Sequence, residues 1–399
     1  MSSGEEGLRL MRSFLIAAIK ILLVVALLLA GAYVYFRFYA PTEVPEAPII
    51  ERTPEPTPPP ASPEPEIDLT WYDGIFELPI NGATGFAARD IRVYHAPDAG
   101  SEIIYELTAG QGFTIMGEDG EWWKIQIGYE EGFVLHSLCF INLPDILPSI
   151  RYDITNAYSS LKRSSLIDIP NVSGYALYEA WAFNARLDRY EFIVPALYST
   201  AKMLAAVQRS ALESNNTVVL FEAFRPHATQ RRVVDNLSAL INTNPDVNRG
   251  INTPPWSISW FISTGISNHQ RGAAVDVSFA FILDRETRAA GRFAYTYITS
   301  HEQRIMPTEM HELSALAVSL EEPVAGHAWR DVFTARSMTQ GSRLLRTYFT
   351  DAGFTPIASE WWHFDDREGA AAARRYGLQG DFFIDSIYSV EPWLSQIEY

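Results

Sequence analysis

Cysteine is nearly absent: Cys139 is the single one in 399 residues. That count excludes an internal disulfide framework and any cysteine-rich zinc site. Basic residues are scarce as well. Thirty-one Lys and Arg stand against 48 Asp and Glu, for a formal charge of −17. Affinity for nucleic acid comes mainly from neutralising phosphates with Lys and Arg, so this balance argues against a nucleic-acid partner. No internal repeat is present. The helix-borne His-Glu-x-x-His zinc motif is missing too, since His301-Glu302 and His311-Glu312 both lack the second histidine.

What is present begins with an apolar run from Phe14 to Phe36, interrupted only by Lys20 and preceded by Arg9 and Arg12. The run is long enough to cross a bilayer as one helix. Tyr33, Tyr35, Phe36, Phe38 and Tyr39 form an interfacial aromatic belt at its far end. Residues 1–40 are therefore expected to be a cytoplasmic tip and single-pass anchor in the cell membrane, with the rest of the chain extracytoplasmic. A cleaved signal peptide is the alternative, because Ala30-Gly31-Ala32 fits a small-x-small cleavage site. Residues 41–70 follow as a Pro, Glu and Thr tract that includes Thr57-Pro58-Pro59-Pro60. Such a composition cannot build a core, and proline holds it extended as a spacer.

Residues 84–143 read as a small all-β unit. Short strands are expected at Ile91–Tyr94, Ile103–Leu107, Gly112–Met116, Trp122–Ile127 and Glu131–Val134, with a turn at Glu118-Asp119-Gly120. Their order resembles a bacterial SH3-like domain, and the resemblance implies cell-wall binding. A barrel that only spaces its neighbours is an equally good reading of the strands. Residues 150–399 form the large domain. Helical periodicity is expected over Ala196–Glu213, Ala228–Ile241 and Ser342–Ala352, with a buried strand at Val218–Phe221. Helices and short strands alternate without a βαβ period, which predicts an α+β fold.

Two polar clusters carry the chemistry. In Ser267–Asp276, His269 and Asp276 flank Gly272, and Val275–Phe279 alternates as a strand. A carboxylate within a strand is costly unless a cation pairs with it, and a divalent ion shared with His269 is one such cation. A surface turn with a polar Asp accounts for this stretch alone equally well. The second cluster is Ser359-Glu360-Trp361-Trp362-His363-Phe364. Together the two offer His269, Asp276 and His363 as three N and O ligands with a position left open, the pattern of a catalytic zinc. Glu360 is then the candidate base, provided it sits at the strand entry, because strict alternation would turn it away from His363. A strand ending at Arg225, in Phe221–Pro226, adds a rigid donor fork suited to a carboxylate or an oxyanion, although an ordinary surface salt bridge is the first reading of this stretch alone.

Phe224-Arg225-Pro226, then Ser267–Val277, then Glu360–Phe364, in that order, resemble the zinc D,D-peptidases of the M15 family. That family includes VanX-type D-alanyl-D-alanine dipeptidases and VanY-type D,D-carboxypeptidases. The resemblance implies an M15 (hedgehog/D,D-peptidase-like) domain that needs Zn2+ and cleaves D-Ala-D-Ala in a peptide or a peptidoglycan stem. It assigns the zinc to His269, Asp276 and His363, the general base to Glu360 and oxyanion stabilisation to Arg225. Ser267 is placed near the substrate. Met306–Glu312 is similar to a dipeptidase segment that binds the substrate's amino end, but His311 stands where an aspartate is expected. A wall-binding protein with a degenerate peptidase domain is the competing expectation, and a hydrolase of another amide bond is a third.

Overall fold

Asp276 sits in the middle of a seven-stranded sheet, and the register of that sheet decides which side chains it meets. The computed structural model describes residues 69–390. The anchor expected over 1–40 and nearly all of the spacer expected over 41–70 lie outside the described residues. Among the described residues no helix is long and apolar enough to cross a membrane. Helices and strands are mixed along the chain, as the α+β reading expects.

One sheet is wholly antiparallel. Its strands are β1 (Thr84–Ala87), β2 (Ile91–Tyr94), β3 (Ile103–Leu107), β4 (Gly112–Asp119), β5 (Trp122–Ile127), β6 (Glu130–Leu135), β7 (Cys139–Asn142) and β8 (Pro195–Leu197). They lie in the order β8-β7-β1-β4-β5-β6-β2-β3. Period-2 alternation sends Val93, Phe113, Ile115, Trp123, Ile125 and Val134 inward, where all are fully buried. Trp123 meets the ring of Tyr198 edge-on at 5.1 Å. Tyr198 opens helix α1 (Tyr198–Glu213), which begins two residues later than the periodicity suggests because Ala196 and Leu197 pair with β7.

The second sheet contains β9 (Asn216–Glu222), β10 (Ala274–Ala290), β11 (Phe293–Gln303) and β12 (His363–Asp365). Its path runs Thr70–Trp71, β11, β10, β9, Arg151–Tyr152, while β12 pairs with the start of β10. Strand β10 runs well past the expected Val275–Phe279. Its outer half lacks apolar alternation and is held by pairing with β11 across a tight turn at Gly291, and the Arg288 guanidinium lies 3.7 Å from the Tyr297 ring centroid.

Val275, Val277 and Phe279 point to the helical side, where Phe279 packs on Tyr348 of helix α3 (Gln340–Asp351). Phe364 stacks on Phe349 of the same helix, with ring centroids 4.4 Å apart. Asp276 therefore faces the other way. In register, Glu222 of β9 and His363 of β12 lie directly beside it, one on each flank. Strand β9 stops at Glu222 rather than at Arg225. A bulge after Leu220 turns the chain out of the ladder, and Arg225 N donates to the His269 carbonyl instead. Helix α2 (His227–Thr243) starts immediately after Pro226.

Gly272 holds this corner together. Its φ is +65°, and a Cβ there would lie 2.7 Å from Phe140 Cε1 and 3.2 Å from Leu197 N. Gly272→Ala is expected to lower the unfolding free energy by about 2–4 kcal/mol, from left-handed strain plus overpacking. An unchanged midpoint in thermal or urea unfolding would contradict this view of the corner.

Candidate active site

His269 lies on the short 3-10 turn His269–Arg271, which Gly272 terminates. Its Nδ1 is 2.7 Å from the Ala223 carbonyl oxygen. A carbonyl only accepts, so Nδ1 carries the hydrogen and Nε2 presents a lone pair. His363 is held in the reverse sense. Its Nε2 donates to Asp365 Oδ1 at 3.0 Å, and the same oxygen accepts from Asn268 Nδ2 at 2.9 Å. His363 Nδ1 is thereby turned inward. Outer partners of this kind fix the tautomer of metal-binding histidines.

The two inward nitrogens and Asp276 Oδ1 make a triangle. His269 Nε2 lies 3.1 Å from His363 Nδ1 and 3.2 Å from Asp276 Oδ1, and the third edge is 3.0 Å. Ligand atoms on a tetrahedral zinc are roughly 3.3 Å apart. Donor set and spacing thus both fit that ion. The electrostatics point the same way, because two lone pairs and a carboxylate converge on a point that calls for positive charge. Burial opposes a charged ring at His363, yet Asp365 and Asp276 hold it well above its usual pKa. Burial also works against ionised Asp276, but His269, His311 and His363 keep it well below the carboxylate range. Burial, helped by the Arg225 charge, lowers His269.

Glu360 lies in the loop before β12, which starts only at His363. Strand alternation therefore does not apply to the pair, and the Glu360 carboxylate comes to 3.9 Å from His363 Nδ1. It has no hydrogen bond among the described residues, and burial pushes its pKa to about 8.

On the far side of Asp276, Oδ2 accepts from His311 Nε2 at 3.1 Å and Arg225 Nη2 at 3.3 Å. Glu222, fully buried, accepts from Arg225 Nε at 2.9 Å and Lys162 Nζ at 2.9 Å. Glu222, Asp276 and His311 are close enough to hold an ion. The Arg225 guanidinium and the Lys162 ammonium already supply positive charge there, so the His269, Asp276 and His363 triangle is the better candidate for a metal. Burial brings the His311 imidazole down to about 4, which leaves it neutral.

Both clusters open on one cavity of about 500 Å³, walled also by Ser267, Trp260, Trp362 and Arg374. Ser267 Oγ is buried there with no hydrogen-bond partner among the described residues. All seven residues singled out in the sequence line this cavity: His269, Asp276, His363, Glu360, Arg225, Ser267 and His311. His311 adopts positive φ and turns toward Asp276 rather than the open space. Three participants were missed. Asp365 and Glu222 lie two residues after His363 and three before Arg225, and a charged residue so placed in an apolar strand was the available signal. Lys162, amid Ser-Leu-Lys-Arg-Ser, carries none.

No family model matches the chain. The D-alanyl-D-alanine dipeptidase of Escherichia coli (strain K12) is 28% identical over 218 residues, which cover 53% of this chain and 80% of that protein.

His363→Ala is expected to reduce bound zinc from about one to well below one per chain, while His311→Ala leaves it near one. Metal analysis of the desalted variants checks this, and equal loss in both would contradict the choice of cluster.

Proposed function

We propose that the chain is a zinc-dependent hydrolase of D-alanyl-D-alanine peptide bonds that acts in peptidoglycan metabolism. The observation that carries the reading is the triangle of His269 Nε2, Asp276 Oδ1 and His363 Nδ1, with the Glu360 carboxylate beside it in an open cavity. The similarity to a protein named D-alanyl-D-alanine dipeptidase supports the choice of bond. Together with the three ordered motifs, it also supports a link to the M15 peptidases.

When bound, zinc supplies Lewis acidity at the scissile carbonyl and at the attacking water. The chain's own residues do the rest. His269, Asp276 and His363 hold the ion, and Asp365 and the Ala223 carbonyl keep the two rings aimed. Glu360 accepts the proton of the attacking water and returns it to the leaving amine. Its burial favours the protonated form, and a cation held beside it shifts the balance back to the carboxylate. Arg225, locked by Glu222 and Gln230, gives fixed positive charge for the oxyanion without reorganising. Ser267 offers a free hydroxyl to the bound peptide.

The wider reading belongs to the same proposal. Segment 1–40 anchors the protein in the cell membrane, 41–70 spaces it outward, and 84–143 is an SH3-like module that holds the cell wall. The hydrolytic domain over 150–399 is then extracytoplasmic.

Glu360→Gln is expected to keep its zinc and lose about 10³-fold in kcat on a D-Ala-D-Ala substrate. Zinc content and a D-alanine release assay on the same preparation check it. Activity retained in that variant would remove Glu360 from the role of base.

A further inference from the structure

The cations of the cavity differ in how far they are committed. Arg225 directs Nε and Nη2 at Glu222 and Asp276, and Nη1 at Gln230 Oε1 2.7 Å away. Lys162 is only 1% exposed and lines the same cavity. Its ammonium has three hydrogens to donate but one hydrogen-bond partner among the described residues, Glu222 Oε2. A buried ammonium with spare hydrogens is costly until acceptors reach it, and Lys162 lines the cavity from which they can come.

The carboxylates are in the opposite condition. Asp276 accepts from Arg225 and contacts all three histidines, and Asp365 serves His363 and Asn268. Of the carboxylates lining the cavity, Glu360 alone has no hydrogen bond among the described residues, and the reaction above commits it to the water proton. Elsewhere in the cavity lining, Ser267 Oγ and Arg271 Nε are buried without partners among the described residues, and Arg374 adds a further positive charge. Spare donors and positive charge thus line the same cavity as Asp276. Of the described carboxylates that line the cavity, Asp276, Asp365 and Glu360, none is left over to receive an ammonium ion.

Resting on the hydrolase reading, we propose that Lys162 is a specificity-determining residue that contacts the substrate. Its ammonium donates to a peptide carbonyl and disfavours a free α-ammonium next to the scissile bond. The site therefore selects N-acylated D,D-peptides, with a single charged carboxyl end, over the zwitterionic dipeptide.

Zinc-loaded protein is offered D-Ala-D-Ala and Nα-acetyl-D-Ala-D-Ala side by side, and both are titrated calorimetrically into the Glu360→Gln variant. The acetylated peptide is expected to be favoured about tenfold or more in kcat/KM and in Kd. Lys162→Met is expected to shrink that ratio to about twofold, through KM rather than kcat. If Lys162→Met does not fold, Lys162→Gln, which keeps a donor but no charge beside Glu222, is used in its place and is expected to shrink the ratio as well. A free dipeptide handled equally well or better, or a ratio unchanged by the lysine substitution, overturns the proposal and leaves the hydrolase reading standing. Cleavage of neither peptide by the zinc-loaded protein overturns both.

Discussion

Asp276 carries its two carboxylate oxygens into a buried strand and gives each a different set of partners. Oδ1 meets the inward nitrogens of His269 and His363, while Oδ2 meets His311 and Arg225. An ionised carboxylate at 1% exposure is untenable without that much compensation. Its position follows from the register of three strands, which sets Glu222 and His363 directly beside it. Shifting either neighbour by one residue would send the paired side chain to the helical core. The corner at Gly272 and the bulge after Leu220 fix that register, so the geometry of the site is a property of the sheet.

The two clusters that share Asp276 have different electrostatic ends. On the Oδ2 side, Glu222 is satisfied by Arg225 and Lys162 in a buried ion network, in which the Lys162 ammonium keeps hydrogens to spare. Such a network is worth little as stability, and it is costly to break one partner at a time. Its value is positional, since it holds two cations rigidly at the cavity wall. On the Oδ1 side, by contrast, two lone pairs and a carboxylate oxygen converge with only a titrating proton to reconcile them. That imbalance distinguishes a place for a metal from a salt-bridge cluster with a similar inventory of residues.

Much of this was legible in the sequence because the motifs are local. His269, Gly272 and Asp276 fall within eight positions, and Glu360 and His363 within four, so residue type and spacing single out the candidate ligands and base that the fold brings together. The strands at Ile91–Tyr94, Ile103–Leu107 and Trp122–Ile127 were also readable, since alternation in a half-buried sheet is a strong signal. What the chain did not disclose depends on long-range pairing. The outer half of β10 is polar and is a strand only because β11 lies against it. Ala196 and Leu197 fit a helical pattern by periodicity, yet both pair with β7. Lys162 reaches Glu222 across 60 positions, and nothing in its neighbourhood marks it as buried. Arg225 was recognised, but its engagement with Glu222 could not be seen without the bulge that turns the chain there.

The account stands on where the ion sits. Crystals of the zinc-loaded protein, measured on both sides of the zinc absorption edge, decide this directly. One anomalous peak is predicted, about 2.0–2.2 Å from His269 Nε2, Asp276 Oδ1 and His363 Nδ1. A peak among Glu222, Asp276 and His311, or none at the triangle in zinc-loaded crystals, would contradict the account.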